Sequence, residues 1–120
     1  MALGVDTYAA NIVLKLKYSY PMITLECAIP CETRAVKWNE RNRDIYYDLL
    51  SKSNKETLLQ QKYTSNCMQK ENEYMVDNSD YVIAVWNGKP SGTGNTVEYA
   101  KKKNKVVLLV DPQILKIEEY

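Results

Sequence analysis

The sequence predicts an α/β fold, a Rossmann-like parallel sheet with flanking helices. Short apolar runs alternate with helix-period segments along the 120 residues. Two of those runs, residues 80–86 (Asp-Tyr-Val-Ile-Ala-Val-Trp) and 105–110 (Lys-Val-Val-Leu-Leu-Val), read as buried strands. The first feeds a Gly-rich turn that leads straight into a helical pattern. Alternating strand and helix favours parallel pairing through right-handed crossovers.

The elements follow in chain order. Asp6 is placed to cap a first helix, in which Ala9, Ile12, Val13 and Leu16 form one apolar stripe and which ends near Tyr20, before Pro21. Residues 22–29, bounded by Pro21 and Pro30, read as a strand, and residues 30–37 as a loop. A second helix starts near Trp38, with Asn42, Ile45, Tyr46 and Leu49 on one side, and breaks across residues 51–55. Residues 56–60 form a weak strand. Ser65 or Asn66 caps a third helix with Met68, Asn72 and Met75 on one face. After the strand at 80–86, residues 87–94 are turn, and a fourth helix runs over residues 95–104. Its last turn holds Lys101, Lys102 and Lys103, where cations suit the negative end of the helix dipole. Ile114, Leu115 and Ile117 form a short apolar tail suited to packing on a neighbour. The chain has neither repeats nor a low-complexity linker, so one domain over residues 1–120 is expected.

Composition narrows the partners. With 16 Lys plus Arg against 15 Asp plus Glu, there is no basic field for general nucleic-acid binding. The chain has no His, which removes the usual general base and the commonest metal ligand. The three cysteines, Cys27, Cys31 and Cys67, make neither a disulfide set nor a paired zinc motif, and read as buried reduced thiols. No metal and no cofactor is expected. No apolar stretch approaches the ~20 residues of a membrane helix, and residues 1–6 lack a charged targeting region, so the expected location is cytoplasmic.

The chemistry concentrates in Ser91-Gly92-Thr93-Gly94-Asn95-Thr96. In a parallel α/β sheet, ligands sit at the carboxyl ends of strands. Gly92 and Gly94 allow close backbone approach and positive φ, and the first N–H groups of the following helix have no partner within it. With the hydroxyls of Ser91, Thr93 and Thr96 they suit an anion. The plainer alternative is a tight turn capped by Asn95 or Thr96. Glu98, in the first turn of that helix, either supports the helix dipole, accepts from ribose hydroxyls or acts in catalysis. No Gly-Lys-Ser/Thr follows, so this is not a Walker loop.

Four segments together resemble the SLOG superfamily, which joins the DNA-processing DprA proteins to the Lonely Guy nucleotide hydrolases, and within it the YpsA-like branch. They are Met1-Ala2-Leu3-Gly4-Val5-Asp6; Cys27-Ala28-Ile29-Pro30-Cys31 with Trp38-Asn39-Glu40; Cys67-Met68-Gln69 through Asn72 to Asp77 and Ser79-Asp80; and Ser91-Gly92-Thr93-Gly94-Asn95-Thr96-Val97-Glu98. The resemblance implies a Rossmann-like fold that binds nucleotides or nucleotide-derived signals. SLOG domains in bacterial defence systems sense cyclic nucleotide or cyclic ADP-ribose-type messengers, and phage anti-defence is an extension of that role. Lonely Guy proteins instead cleave nucleoside monophosphates with a Pro-Gly-Gly-x-Gly-Thr-x-x-Glu loop and an arginine. Residues 90–98 match that loop in spacing, with Ser91 and Asn95 as departures, Glu98 on the glutamate and Glu71 at the arginine position. Relatives carry a further strand, helix and strand before Gly4, so a sheet shortened at its N-terminal side is expected.

The resulting expectation is a sensor or sequestering protein for a nucleotide-type small molecule. Its ligand contacts are Gly4, Asp6, Trp38, Asn72, Ser91, Gly92, Thr93, Gly94, Asn95, Thr96 and Glu98, and its working form is a homo-oligomer. Asp6 and Glu98 face ribose hydroxyls, Asn72 bonds the ligand, and Trp38 or a Tyr stacks on a base. The alternative is a nucleoside-monophosphate phosphoribohydrolase with Glu98 as the catalytic carboxylate; a third reading is a remnant that binds nothing.

Overall fold

The computed structural model describes residues 4–32 and 34–120, and divides into two compact units, Met1–Cys67 and Met68–Tyr120. The part of the N-terminal motif at Met1, Ala2 and Leu3 lies outside the described residues.

The first unit contains α1 (Val5–Ser19), β1 (Glu26–Ile29), α2 (Glu40–Lys52) and β2 (Lys55–Leu58). β1 and β2 pair in parallel, from Glu26 opposite Lys55 to Ile29 opposite Leu58. The expected strand at residues 22–29 is therefore only four residues long. Met22, which pairs with nothing in the ladder, is 93% exposed. Asn54 explains why the chain is tied down just before β1 without extending it: its Oδ1 accepts from the Leu25 N–H at 2.9 Å and from Lys17 Nζ at 2.8 Å. The weak strand expected at 56–60 is β2.

α2 begins two residues later than expected. Asn39 caps it, accepting from the Asn42 N–H at 2.8 Å. Tyr46, Leu49 and Leu50 from α2 join Ala10, Cys27 and Ala35 in one core, with Leu14, Leu25, Ile29 and Trp38 packed against it. This corrects the reading of α1. Ala10 and Leu14 carry the helix onto α2, whereas Ile12 and Leu16 of the expected stripe are exposed. The Asp6 cap is also corrected: Gly4 occupies the cap position at φ 78° with no side-chain cap, and Asp6 falls in the first turn.

The second unit contains most of α3 (Cys67–Asp77), then β3 (Tyr81–Val85), α4 (Gly92–Lys102), β4 (Val106–Val110) and β5 (Ile117–Glu119). Along α3, Cys67, Glu71 and Val76 are the buried positions, not the expected Met68, Asn72 and Met75 face. β3 and β4 pair in parallel, and β5 adds to β4 antiparallel, Leu109 lying opposite Glu118. The sheet is therefore mixed, and the apolar tail includes a strand. The Asp111 carboxylate builds the turn before β5, its Oδ1 accepting from the N–H groups of Gln113 (2.8 Å) and Ile114 (3.3 Å).

Val97 and Ala100 of α4 pack with Val76, Ala84 and Val107, bordered by Val82, Trp86, Tyr99 and Leu109. Strand alternation puts Val82 and Ala84 on this face and Tyr81 and Ile83 on the other. Those two are 69% and 71% exposed, so β3 is buried on one face rather than two. α4 ends in a Schellman motif: the Lys105 N–H donates to Ala100 O and the Asn104 N–H to Lys101 O, both at 3.0 Å, with Asn104 at φ 57°.

Candidate functional site

The β3–α4 loop is built differently from its sequence reading. α4 begins at Gly92, three residues earlier than expected, and its cap is Ser91 rather than Asn95 or Thr96. Ser91 Oγ accepts from the Gly94 N–H at 3.1 Å, the Asn95 N–H donates to Ser91 O at 3.0 Å, and Thr96 Oγ1 donates to Gly92 O at 2.9 Å. Gly92 and Gly94 are helical, and neither has positive φ; in this loop that conformation belongs to Gly88, at φ 85°. Asn87 sets up the bend at Gly88, its Oδ1 accepting from the Lys89 N–H at 3.0 Å. Glu98 moves from the first to the second turn of the helix.

Gly94 has a packing reason. A Cβ added there would lie 3.0 Å from Trp86 Cζ2 and 3.3 Å from Cε2, whereas one added at Gly92 would meet nothing within 4 Å. The Trp86 indole is fixed by its Nε1–H, which donates to Lys89 O at 2.8 Å. Close approach of the backbone at Gly94 is thus an approach to Trp86. At Gly92 and Thr93, both exposed, the N–H groups at the start of the helix have no intrahelical acceptor, and the positive end of the dipole coincides with them.

A hollow of about 300 Å³ opens at this end of α4, lined by Trp86, Gly88, Ser91, Gly94, Asn95 and Glu98 among others. Ser91, Gly94, Asn95 and Glu98 of the expected set thus border one hollow. Trp86, outside the expected set, borders it as well. It directly follows β3, beside a Gly-rich turn, a position where an aromatic ring can meet whatever occupies the strand's carboxyl end, and that position is the sequence signal for it.

Of the other expected residues, Gly4, Asp6 and Trp38 belong to the first unit and Asn72 to the second. Gly4 borders a cavity of about 570 Å³ in the first unit that also takes in Arg41 and Asn42. Asp6 is half-buried in α1 and Asn72 half-buried in α3. The Trp38 ring meets Tyr46 edge-on at 5.1 Å, and the Arg34 guanidinium stands 5.3 Å from its centroid. Glu71, at the arginine position of the hydrolases, is 4% exposed. No group of three or more His, Cys, Asp and Glu arranged to hold a metal occurs among the described residues. Burial pushes the Cys27 thiol up, and the hydrogen bond to Asp77 raises the Tyr99 phenol.

A parallel strand pair in one unit, and in the other a mixed three-stranded sheet whose Gly-rich loop runs from a strand into a helix N-terminus, define a Rossmann-like α/β protein. The family model matching residues 1–115 is that of the YspA SLOG family, and the chain belongs to that family. UPF0398 proteins of Bacillus cereus (strain B4264) and Bacillus thuringiensis (strain Al Hakam) are each 32% identical over 107 residues. Each match takes in 87% of this chain, which spans 58% of the length of those relatives. Membership makes this a nucleotide-related Rossmann-like protein. No helix among the described residues is long and apolar enough to cross a membrane.

Proposed function

We propose that the chain binds a nucleotide or nucleotide-derived messenger, of cyclic nucleotide or ADP-ribose type, as a sensor or sequestering protein. The observation that carries this reading is the start of α4, where the unpaired N–H groups of Gly92 and Thr93 and the dipole end supply an anion site beside the hollow. Ser91 and Asn95 offer further polar contacts. The hollow's one carboxylate, Glu98, suits the role of acceptor for ribose hydroxyls rather than of a phosphate ligand.

The working form is read as a homo-oligomer. Supporting this are the exposed Tyr81 and Ile83 on β3 and the exposed Val5, Tyr8, Ile12 and Leu16 along α1, apolar surface of the kind that interfaces cover. The experiment for the ligand is native mass spectrometry of protein purified from cells, followed by calorimetry with the released compound. Retention of a phosphate-bearing nucleotide that rebinds supports the reading. A protein that binds neither a retained compound nor ribose 5-phosphate overturns it.

A further inference from the structure

A second hollow, of about 500 Å³, also borders Trp86. It shares Trp86 and Gly88 with the smaller hollow at the start of α4. Its floor and far wall come from the end of β4 and from β5. Leu109 lies opposite Glu118 in the ladder, and strand alternation puts Tyr120 on the same face as Glu118. Leu109 packs on the α4 side of the sheet, so this face is the one that α4 covers.

Two aromatic rings meet here. Trp86 and Tyr120 have centroids 6.5 Å apart and planes inclined at 45°. Each ring has one side already occupied. Gly94 lies against Trp86, and Lys101 Nζ stands 3.8 Å from the Tyr120 centroid. Neither Gly94 nor Lys101 borders this cleft, whereas both aromatic residues do. Its polar rim holds Asn87, Asp111, Lys116 and Glu118. Both hollows fall within the roughly 300–1,000 Å³ range of small-molecule sites.

We propose that this cleft is the base subsite of the nucleotide whose phosphate sits at Gly92 and Thr93, with Trp86 and Tyr120 as the stacking surface. The proposal rests on the reading of the loop given above. Aromatic rings stack on any base, whereas the carboxylates of Asp111 and Glu118 accept from an exocyclic amino group, so the class favoured is an amino-bearing base such as adenine. A ligand that spans both hollows must bend around Trp86 and Gly88. That makes Trp86 a contact for both halves and Tyr120 a contact for the base alone.

The test is calorimetry of the full chain with AMP and with ribose 5-phosphate, in the unaltered protein and in Tyr120→Ala and Tyr120→Phe. Tyr120 is 50% exposed, so its truncation leaves the core intact. The expected result is that AMP binds about ten-fold tighter than ribose 5-phosphate, that Tyr120→Ala removes most of that difference while leaving ribose 5-phosphate affinity unchanged, and that Tyr120→Phe retains it. Equal affinity for the two probes, or an equal loss for both on Tyr120→Ala, overturns the base subsite and leaves the phosphate reading standing. Binding of neither probe overturns the phosphate reading, and this proposal with it.

Discussion

Replacing Gly92 by Pro separates the phosphate donor from the fold. Gly92 is the first helical residue of α4, where the N–H has no intrahelical acceptor and proline's φ fits the helix. Ser91 before it is extended, at φ −170° and ψ 177°, a conformation that a following proline tolerates. A side chain added at Gly92 meets nothing within 4 Å. The substitution should therefore keep the fold and raise stability by about 0.4–1 kcal/mol through loss of unfolded-chain freedom. What it removes is one N–H donor to an anion, worth about 1.5–3 kcal/mol, or roughly a ten- to hundred-fold loss of affinity. Gly92→Ala is the control, since it adds a Cβ and keeps the N–H. Calorimetry with ribose 5-phosphate, alongside thermal unfolding, reads both quantities. Equal affinity in the Pro and Ala variants, both folded, would refute the assignment of this N–H as a phosphate donor.

Other outcomes follow from the same structure. Gly94→Ala gains about 1 kcal/mol of helix propensity but requires the hydrogen-bonded Trp86 indole to shift by a few tenths of an ångström, an overpacking cost of about 1–3 kcal/mol; urea unfolding should show net destabilisation, and a more stable variant would contradict the fixed position of the indole. Asn39→Ala should cost about 1 kcal/mol by removing the α2 cap, and an unchanged denaturation midpoint would discard that cap. Stability should fall in alkali. The folded chain holds the Cys27 and Tyr99 protons more tightly than the unfolded chain, so their contribution is complete below the ordinary thiol pKa of about 8.5 and is lost as pH rises above it; a midpoint that rises between neutral pH and about pH 9.5 would contradict this. Sedimentation equilibrium should find a dimer or larger species that Ile83→Asp weakens, and a monomer at micromolar concentration that still binds ligand would refute the oligomer.

What the sequence made legible follows from where burial alone sets the pattern. β3, β4 and α4 could be read because their apolar positions face a single partner surface. The start of α4 could not be read from the turn composition. Glycines suggested loop, yet Ser91 three residues before Gly94 has the spacing of a helix cap, and capping extends the helix back to Gly92. On α1 the sequence carries two apolar stripes, and periodicity cannot say which one a neighbour covers; Ala10 with Leu14 faces α2 while Ile12 with Leu16 stays exposed. β5 contains Ile-Glu-Glu and has no apolar alternation of its own. Its pairing comes from the Asp111 turn and the β4 edge, both tertiary facts. Trp86 closes an apolar run and so reads as core; that it borders two hollows is a tertiary fact.

The central claim is that the amides at the start of α4 hold phosphate, and amide NMR of the labelled protein titrated with ribose 5-phosphate tests it most directly. The account predicts that the Gly92 and Thr93 N–H signals move downfield and saturate together, with smaller shifts at Ser91 and Asn95. Saturable binding that leaves the Gly92 and Thr93 amides unmoved would contradict it.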